Sequence, residues 1–328
     1  MARPVRAVPH VACPRLRESY SHTILSPPMP AERRAPSRDD TDSLLAEGIR
    51  FERGGVTERA VACFEEVTTR REENPAAAAE AWWRLANQHR LQSHWAEALD
   101  AARQGATLAR EKGLPTQEAD ALNIEGGIWM NRGDYSAARP LFERALELVP
   151  TGLTRAKALQ NLGGIAGEEH SFEDAERLFL ASRAEYAKSG DVRGEAVTLL
   201  NLGRLQMERG NPELARTTLQ DATNESRRSG DLEMHAAGLL NLGIVLSELK
   251  CLSDAEEKIT TAYGQFTIAG IPMQRVRCLM QLARVALLRD DATTARVCLI
   301  HARDVAADSQ LPRELRLIID QLQAIGEK

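Results

Sequence analysis

The sequence Leu-Leu-Asn-Leu-Gly occurs at Leu199–Gly203 and again at Leu239–Gly243, and the variant Leu-Gln-Asn-Leu-Gly occurs at Leu159–Gly163. The three copies begin 40 residues apart. A fixed internal period of this length indicates a repeat array, in which each repeat is one small unit that buries its apolar face against its neighbours. This period constrains the fold more than any single motif in the chain does.

The glycine that ends the motif marks a position, here called the marker, that recurs through most of the chain. An alanine follows 12 residues after every marker, and an apolar residue precedes every marker by four. Chance does not keep these positions in phase over seven copies. The markers are Gly48, Ala86, Gly126, Gly163, Gly203, Gly243 and Ala283, and the alanines are Ala60, Ala98, Ala138, Ala175, Ala215, Ala255 and Ala295.

The spacing predicts a pair of helices in each repeat. Residues four apart share one helical face, so the marker and the leucine before it face the same way. Turn sequences such as residues 208–213 separate the marker from the alanine. Small residues on both helices would let them pack closely. Glycines 13 residues before a marker are expected to end the second helices, as at Gly113, Gly190, Gly230 and Gly270.

The order of large and small positions resembles the tetratricopeptide repeat, whose pattern is W-x₂-L-G…A-x₃-F…P. The third copy carries most of it, in Leu122, Gly126, Ala138, Phe142 and Pro150. The period near 40 instead of 34, with leucine in place of tryptophan, resembles the long-helix subtype. The resemblance covers residues 42–308. It implies an all-α fold, an α-solenoid in which about seven helical hairpins form a right-handed superhelix, with residues 313–328 as a C-terminal capping helix.

The first 40 residues differ from the rest in composition. They hold seven of the 14 prolines and seven arginines, without apolar periodicity. Such a segment cannot bury enough surface to offset its ordering entropy. We therefore expect a disordered N-terminal tail over residues 1–40 and the array over 41–328. A transit peptide, or translation from Met29, are the alternatives for this segment.

Composition and motifs exclude several function classes. A formal charge of −5 argues against a nucleic-acid binder, and no run of about 18 apolar residues predicts a membrane span. No secretory signal is present, so the expected location is cytoplasmic. The five cysteines are expected to be separate buried thiols, and His89 and His94 a turn pair rather than a metal site. No cofactor is expected, and no catalytic arrangement stands out, so no enzymatic activity is expected.

The asparagine of the motif falls on the side of the first helix opposite the marker. In tetratricopeptide arrays that side lines the concave groove, so the resemblance implies a ligand-binding row. An amide both donates and accepts hydrogen bonds and suits a peptide backbone, while Arg and Lys suit carboxylates. The candidate partner-binding residues are Arg84, Lys157, Asn161, Asn201, Arg204, Asn241, Arg277, Gln281 and Arg284.

Two other interpretations of this face remain open. The amides could bond from helix to helix and only set the stacking, or Arg204 and Glu208 could be an ordinary surface ion pair. Trp83 is expected either to pack between repeats or to offer an aromatic platform to a partner.

The favoured function is a non-enzymatic scaffold or adaptor that binds an extended peptide or a partner helix in the groove. The alternative is a peptide-responsive regulator that acts on a separate effector chain. The expected partner is a protein or peptide, with no nucleic acid and no membrane, and the oligomeric state is left open.

Overall fold

The structure is a computed structural model, and it describes residues 38–326. These residues form fifteen α-helices and no β-strand. Helix α1 begins at Arg38, three residues before the predicted start of the array, and residues 1–37 of the predicted tail lie outside the described residues. The helices are α1 Arg38–Arg53, α2 Thr57–Thr69, α3 Pro75–Leu91, α4 Trp95–Glu111, α5 Pro115–Asn131, α6 Tyr135–Leu148, α7 Leu153–Glu168, α8 Phe172–Ser189, α9 Val192–Glu208, α10 Pro212–Ser229, α11 Leu232–Glu248, α12 Leu252–Ile268, α13 Pro272–Leu287, α14 Ala292–Asp308 and α15 Pro312–Gly326.

Helices α1 to α14 pair into seven hairpins, numbered repeats 1 to 7, and α15 packs on α14. Each second helix also packs on the first helix of the next repeat. The chain is therefore an all-α solenoid with a terminal helix, and the predicted fold class is confirmed.

The marker glycines are needed because a large side chain from the second helix covers them. A Cβ added at Gly203 would lie 2.5 Å from Cγ of Leu219, and one added at Gly126 would lie 2.6 Å from Phe142. All seven alanines that follow the markers are fully buried. In repeat 2 the marker is the larger Ala86, and the residue facing it is the small Ala102. The smaller partner compensates for the added methyl group, so the two helices still pack closely.

The hairpin turns contain a feature that the sequence did not reveal. Seven residues after each marker, one residue adopts a left-handed backbone conformation. Gly190 and Gly230 cap second helices in the same conformation, as predicted. A residue other than glycine at φ near +60° is strained. The turn has the same backbone conformation in every repeat, so the non-glycine residues at this position adopt it as well. The seven turn residues are Gly55, Ser93, Gly133, His170, Gly210, Lys250 and Asp290.

The first helices lie on the inner side of the array. Each first helix from α1 to α11 packs directly on the first helix of the next repeat. Within the described residues, no two second helices pack on one another in this way. Helices that crowd together on one side and separate on the other curve the stack toward the crowded side. The surface of the first helices that faces away from the second helices is therefore the concave groove.

Candidate functional site

A row of four amides runs along the groove through repeats 4 to 7. Asn161, Asn201, Asn241 and Gln281 each stand two residues before a marker, on successive first helices, and each is partly exposed. Within residues 38–326, none of the four makes a side-chain hydrogen bond. The hydrogen-bonded stack of amides, one of the sequence interpretations, is thus not formed. The amide row keeps its donors and acceptors for solvent or a ligand.

The groove floor beside the amide row is made of small or apolar residues. Val197 and Ala237 lie one turn before Asn201 and Asn241, and both are partly exposed. Gly164 lies on the same face of α7, where an added Cβ would meet only the methyl group of Met130, at 3.5 Å. The packing of the helices does not require a glycine there. A glycine in a helix costs about 1 kcal/mol relative to alanine, and it leaves room for another chain to approach the helix.

Two predicted arginines form ion pairs that cross from repeat to repeat. Arg204 lies 2.6 Å from Glu208 in its own helix and 3.5 Å from Glu168 of the previous first helix. Arg284 pairs in the same way with Glu248 of α11. All of these side chains are well exposed, so each pair contributes little to stability and can be exchanged for other partners.

Lys157 and Arg277 occupy equivalent positions, six residues before their markers, and both are exposed. Arg277 donates to the side chain of Gln274, at 3.0 Å. Lys157 instead reaches across α5, and its Nζ lies 5.9 Å from the centre of the Trp83 ring. The two residues therefore bring positive charge to the groove in different surroundings.

Arg84 differs from the other predicted lysine and arginine residues, which are exposed, because it is mostly buried. Its guanidinium pairs with Glu52 of α1 and lies 2.8 Å from Glu80 of its own helix. It also lies over the ring of Trp83, 4.5 Å from the ring centre. Gln88 donates a further hydrogen bond to Glu52, at 2.8 Å. The guanidinium of Arg84 donates three hydrogen bonds to these two glutamates, and a role in ligand binding remains a prediction for it.

Asp120 completes this cluster and was not singled out in the sequence. Burial raises the pKa of its carboxyl group, while the charge of Lys157 and a hydrogen bond from Thr154 Oγ1, at 2.9 Å, act in the opposite direction. The sequence does contain a signal for this residue, because an acidic residue recurs six residues before the marker in repeats 1 to 3, as Asp42, Glu80 and Asp120. The same position is Lys157 in repeat 4 and Arg277 in repeat 7.

The two adjacent tryptophans have separate structural roles. Trp82 packs in the apolar core between repeats 1 and 2, as its place before the marker predicts. Trp83 is partly buried against the apolar cluster that contains Leu122 of α5 and Ala158 of α7. Packing between repeats, one of the two interpretations of Trp83, is what the structure shows.

The histidine pair and the described cysteines lie outside the groove. His89 and His94 lie with ring centres 6.2 Å apart, and the described residues contain no cluster of three or more metal-ligating side chains.

Burial raises the pKa of the Cys278 thiol to about 12. Cys251 is exposed at the start of α12, so the expectation of a buried thiol is wrong there; the hairpin turn holds it outside the core. Cys13 lies outside the described residues. None of the helices described is long and apolar enough to cross a bilayer.

The sequence itself matches a known family in two segments. Two profiles described as tetratricopeptide repeat match residues 92–152 and residues 198–227. A sequence search among curated proteins found no significant match. The fold already defines an α-solenoid of helical hairpins. The chain therefore contains tetratricopeptide repeats, at residues 92–152 and 198–227. Its assignment to the long-helix subtype stays a prediction.

Solved structures share this fold at low sequence identity. A Rap protein complexed with competence and sporulation factor matches with a TM-score of 0.65 and 16% identity, over 88% of this chain and 88% of that one. A signal transduction ATPase with a tetratricopeptide repeat sensor, from Pyrococcus horikoshii, gives 0.63 and 12%, over 88% of this chain and 46% of that one. Aspartyl phosphate phosphatase F from Bacillus subtilis gives 0.58 and 11%, over 86% and 78%. At such identities these similarities establish the fold alone.

Proposed function

We propose that this protein is a non-enzymatic interaction scaffold that binds an extended peptide segment of another protein along the first helices of repeats 4 to 7. The observation that carries the proposal is the amide row, Asn161, Asn201, Asn241 and Gln281. Four amides recur at one helical position, face the groove and bond to nothing within residues 38–326. A structural role would have used these groups within the fold.

The geometry suits a peptide backbone. Packed helices lie about 8–10 Å apart, and an extended chain advances about 3.3 Å per residue. Successive amides would therefore meet backbone groups about three residues apart. Each amide can donate to a carbonyl and accept from an N–H, whatever side chain the peptide carries. The scaffold is ordered before the peptide arrives, which lowers the entropic cost of binding.

Charged residues at the groove add selectivity. Arg204 and Arg284 can exchange their exposed glutamate partners for carboxylates of a ligand, because such surface pairs are worth about 0–1 kcal/mol. Lys157 and Arg277 add positive charge on the same face. A peptide with acidic residues toward repeats 4 to 7 would be favoured.

The test compares two double variants of the same chain. Asn201→Ala with Asn241→Ala removes the centre of the amide row. Gln220→Ala with Asn224→Ala removes two amides that bond to each other on the exposed face of α10. Peptides recovered from a random pool by the unchanged protein should bind the first variant at least about tenfold more weakly and the second variant equally well.

Melting temperatures complete this experiment. The amide row makes no side-chain hydrogen bond within residues 38–326, so the first variant should melt within about 1 °C of the unchanged protein. If the pool yields no bound peptide, or if binding survives the loss of both asparagines, the proposed function is wrong.

A second candidate is a regulator whose bound peptide changes the curvature of the array and so its action on a separate chain. It is favoured by two proteins of the same fold, one solved in complex with competence and sporulation factor and one containing a tetratricopeptide repeat sensor. A change in the small-angle scattering radius on peptide binding would support the regulator, and an unchanged radius would favour the plain scaffold.

A further inference from the structure

A cavity of about 520 Å³ lies at the end of the groove, between α13 and α15. Helix α15 takes the place that the first helix of an eighth repeat would have. Earlier first helices pack directly on their successors, but α13 and α15 make almost no direct contact. The gap between them is the cavity, and Ala283, Leu299 and Ile325 contribute to its apolar floor.

The rim of the cavity is polar and includes two of the residues predicted from the sequence. Gln281 and Arg284 of α13 stand on one side, and Gln321 of α15 stands on the other. Within the described residues, neither glutamine makes a side-chain hydrogen bond. The only partner of the Arg284 guanidinium in the described chain is the exposed carboxylate of Glu248.

We propose that this cavity is the anchor pocket for the bound peptide, and that it takes one large apolar side chain whose neighbour in the peptide is aspartate or glutamate. The proposal rests on the proposed function, because the cavity continues the amide row at Gln281. Pockets of a few hundred cubic ångströms with an apolar floor and a few polar groups are typical ligand sites. The apolar side chain would fill the floor, and the adjacent carboxylate would meet Arg284.

Charge decides which end of the groove an acidic residue prefers. At the repeat 7 end, Arg277 and Arg284 lie on this face, and within the described residues Glu248 is the one carboxylate that forms an ion pair with either of them. In repeats 1 to 3 the equivalent face carries Asp42, Glu80 and Asp120. A peptide with its acidic residue at α13 therefore avoids like charges and gains a charge-assisted hydrogen bond.

The experiment fills the cavity without touching the core. Ala324 is exposed on α15 and lines the cavity, so Ala324→Phe should occupy it without disturbing the fold. Ala307→Phe places the same side chain at an exposed site on α14 that does not line the cavity. The probe is a pool of random peptides about 12 residues long with amidated C-termini, sequenced after recovery on each variant.

We expect the unchanged protein to enrich peptides in which a large apolar residue adjoins Asp or Glu. Ala324→Phe should reduce their recovery about tenfold, Arg284→Gln should remove the preference for the acidic neighbour, and Ala307→Phe should change neither. A pool with free C-terminal carboxylates tests the other source of a carboxylate. Enrichment from that pool alone would overturn the assignment of a side-chain acid.

The outcomes separate this inference from the proposed function. Peptides that still need Asn201 and Asn241, but that lack the apolar–acidic pair or bind Ala324→Phe equally well, would overturn the anchor pocket and leave the proposed function intact. If the unchanged protein recovers no peptide from either pool, both proposals fail together.

Discussion

The inner wall of the array has two parts that share a backbone and differ in how their polar groups are used. In repeats 1 to 3, Arg84 is paired with Glu52 and Glu80 and lies against Trp83. In repeats 4 to 7, the amide row makes no side-chain hydrogen bond within the described residues, and Arg204 and Arg284 pair with exposed glutamates. We call repeats 1 to 3 the closed half, because the polar groups around Arg84 pair with one another, and repeats 4 to 7 the open half, because the amide row has unused hydrogen-bonding capacity.

If the amide row binds a peptide as proposed, fold and recognition draw on separate positions of the repeat. Markers and alanines are buried in every repeat and fix how the helices pack. The polar residues of the groove face occupy other positions of the repeat, so they can serve stability in one half and, as proposed, recognition in the other. Partly exposed amides can be solvated by water until a partner arrives, so leaving them unpaired costs little.

The largest expected effect is the loss of the central charge in the closed half. Arg84→Ala would leave Glu52 and Glu80 close together with their positive partner gone, at sites where these side chains are mostly buried. Breaking a buried pair by removing one member costs about 3–5 kcal/mol, and partial burial here reduces this to about 2–3 kcal/mol. Urea unfolding monitored by circular dichroism measures the loss.

Arg204→Ala is the matched control in the open half. Arg204 also bridges two glutamates of neighbouring first helices, but all three side chains are exposed. Its loss should change the free energy of unfolding by less than about 0.5 kcal/mol. Equal losses for the two arginines would contradict the division of the wall into a closed and an open part.

Two adjacent glycines test the boundary between core and groove in repeat 4. A Cβ at Gly163 would lie 2.9 Å from the Phe179 ring, whereas one at Gly164 would meet only the Met130 methyl group. Gly163→Ala should therefore lower stability by about 1–2 kcal/mol, and Gly164→Ala should raise it by about 0.5–1 kcal/mol.

Peptide binding gives this pair a second readout. If the bound chain approaches the helix at Gly164, the stabilising Gly164→Ala should also weaken binding of the recovered peptides by about tenfold. Stabilisation with unchanged binding would mean that the peptide does not contact this part of the floor.

The repeat period was enough to predict the helices, the hairpins and the buried marker residues, because those positions repeat in every copy. The amide row was also predictable as a face, since Asn161, Asn201 and Asn241 share one helical position. The cluster around Arg84 and Trp83 was not predictable, because it joins residues of four helices, α1, α3, α5 and α7, through contacts between repeats. The cavity beside Gln281 depends on how α15 departs from the period, which a repeating pattern cannot predict.

Asp120 gives a prediction that depends on pH. Burial raises the pKa of its carboxyl group above the ordinary 3.8, so the folded state binds the proton more tightly than the unfolded state does. The ionised carboxylate therefore lowers stability near neutral pH, and this penalty disappears as the pH falls through the raised pKa toward the ordinary value. Asp120→Asn removes the charge and keeps an acceptor for Thr154 Oγ1.

The variant should accordingly melt at a higher temperature than the unchanged protein near pH 7, and the difference should shrink as the pH approaches about 4. Thermal melts at several pH values measure it. A lower melting temperature near pH 7 would mean that the attraction of Asp120 to Lys157 and Arg84 outweighs its burial.

The smallest effect expected concerns Lys157, which links the two halves. Its Nζ lies 5.9 Å from the centre of the Trp83 ring, near the limit of cation–π attraction, which at exposed sites is worth about 0.5–1 kcal/mol. Lys157→Met keeps the length and removes the charge, so the free energy of unfolding should fall by about 0.5 kcal/mol, and Lys157→Arg should restore it. Arg277→Met, at the equivalent position of repeat 7, removes a charge that has no aromatic ring in reach among the described contacts and should leave stability unchanged. If both methionine variants lower the free energy of unfolding by the same amount, the contact of Lys157 with Trp83 contributes nothing. The closed half would then end at α5.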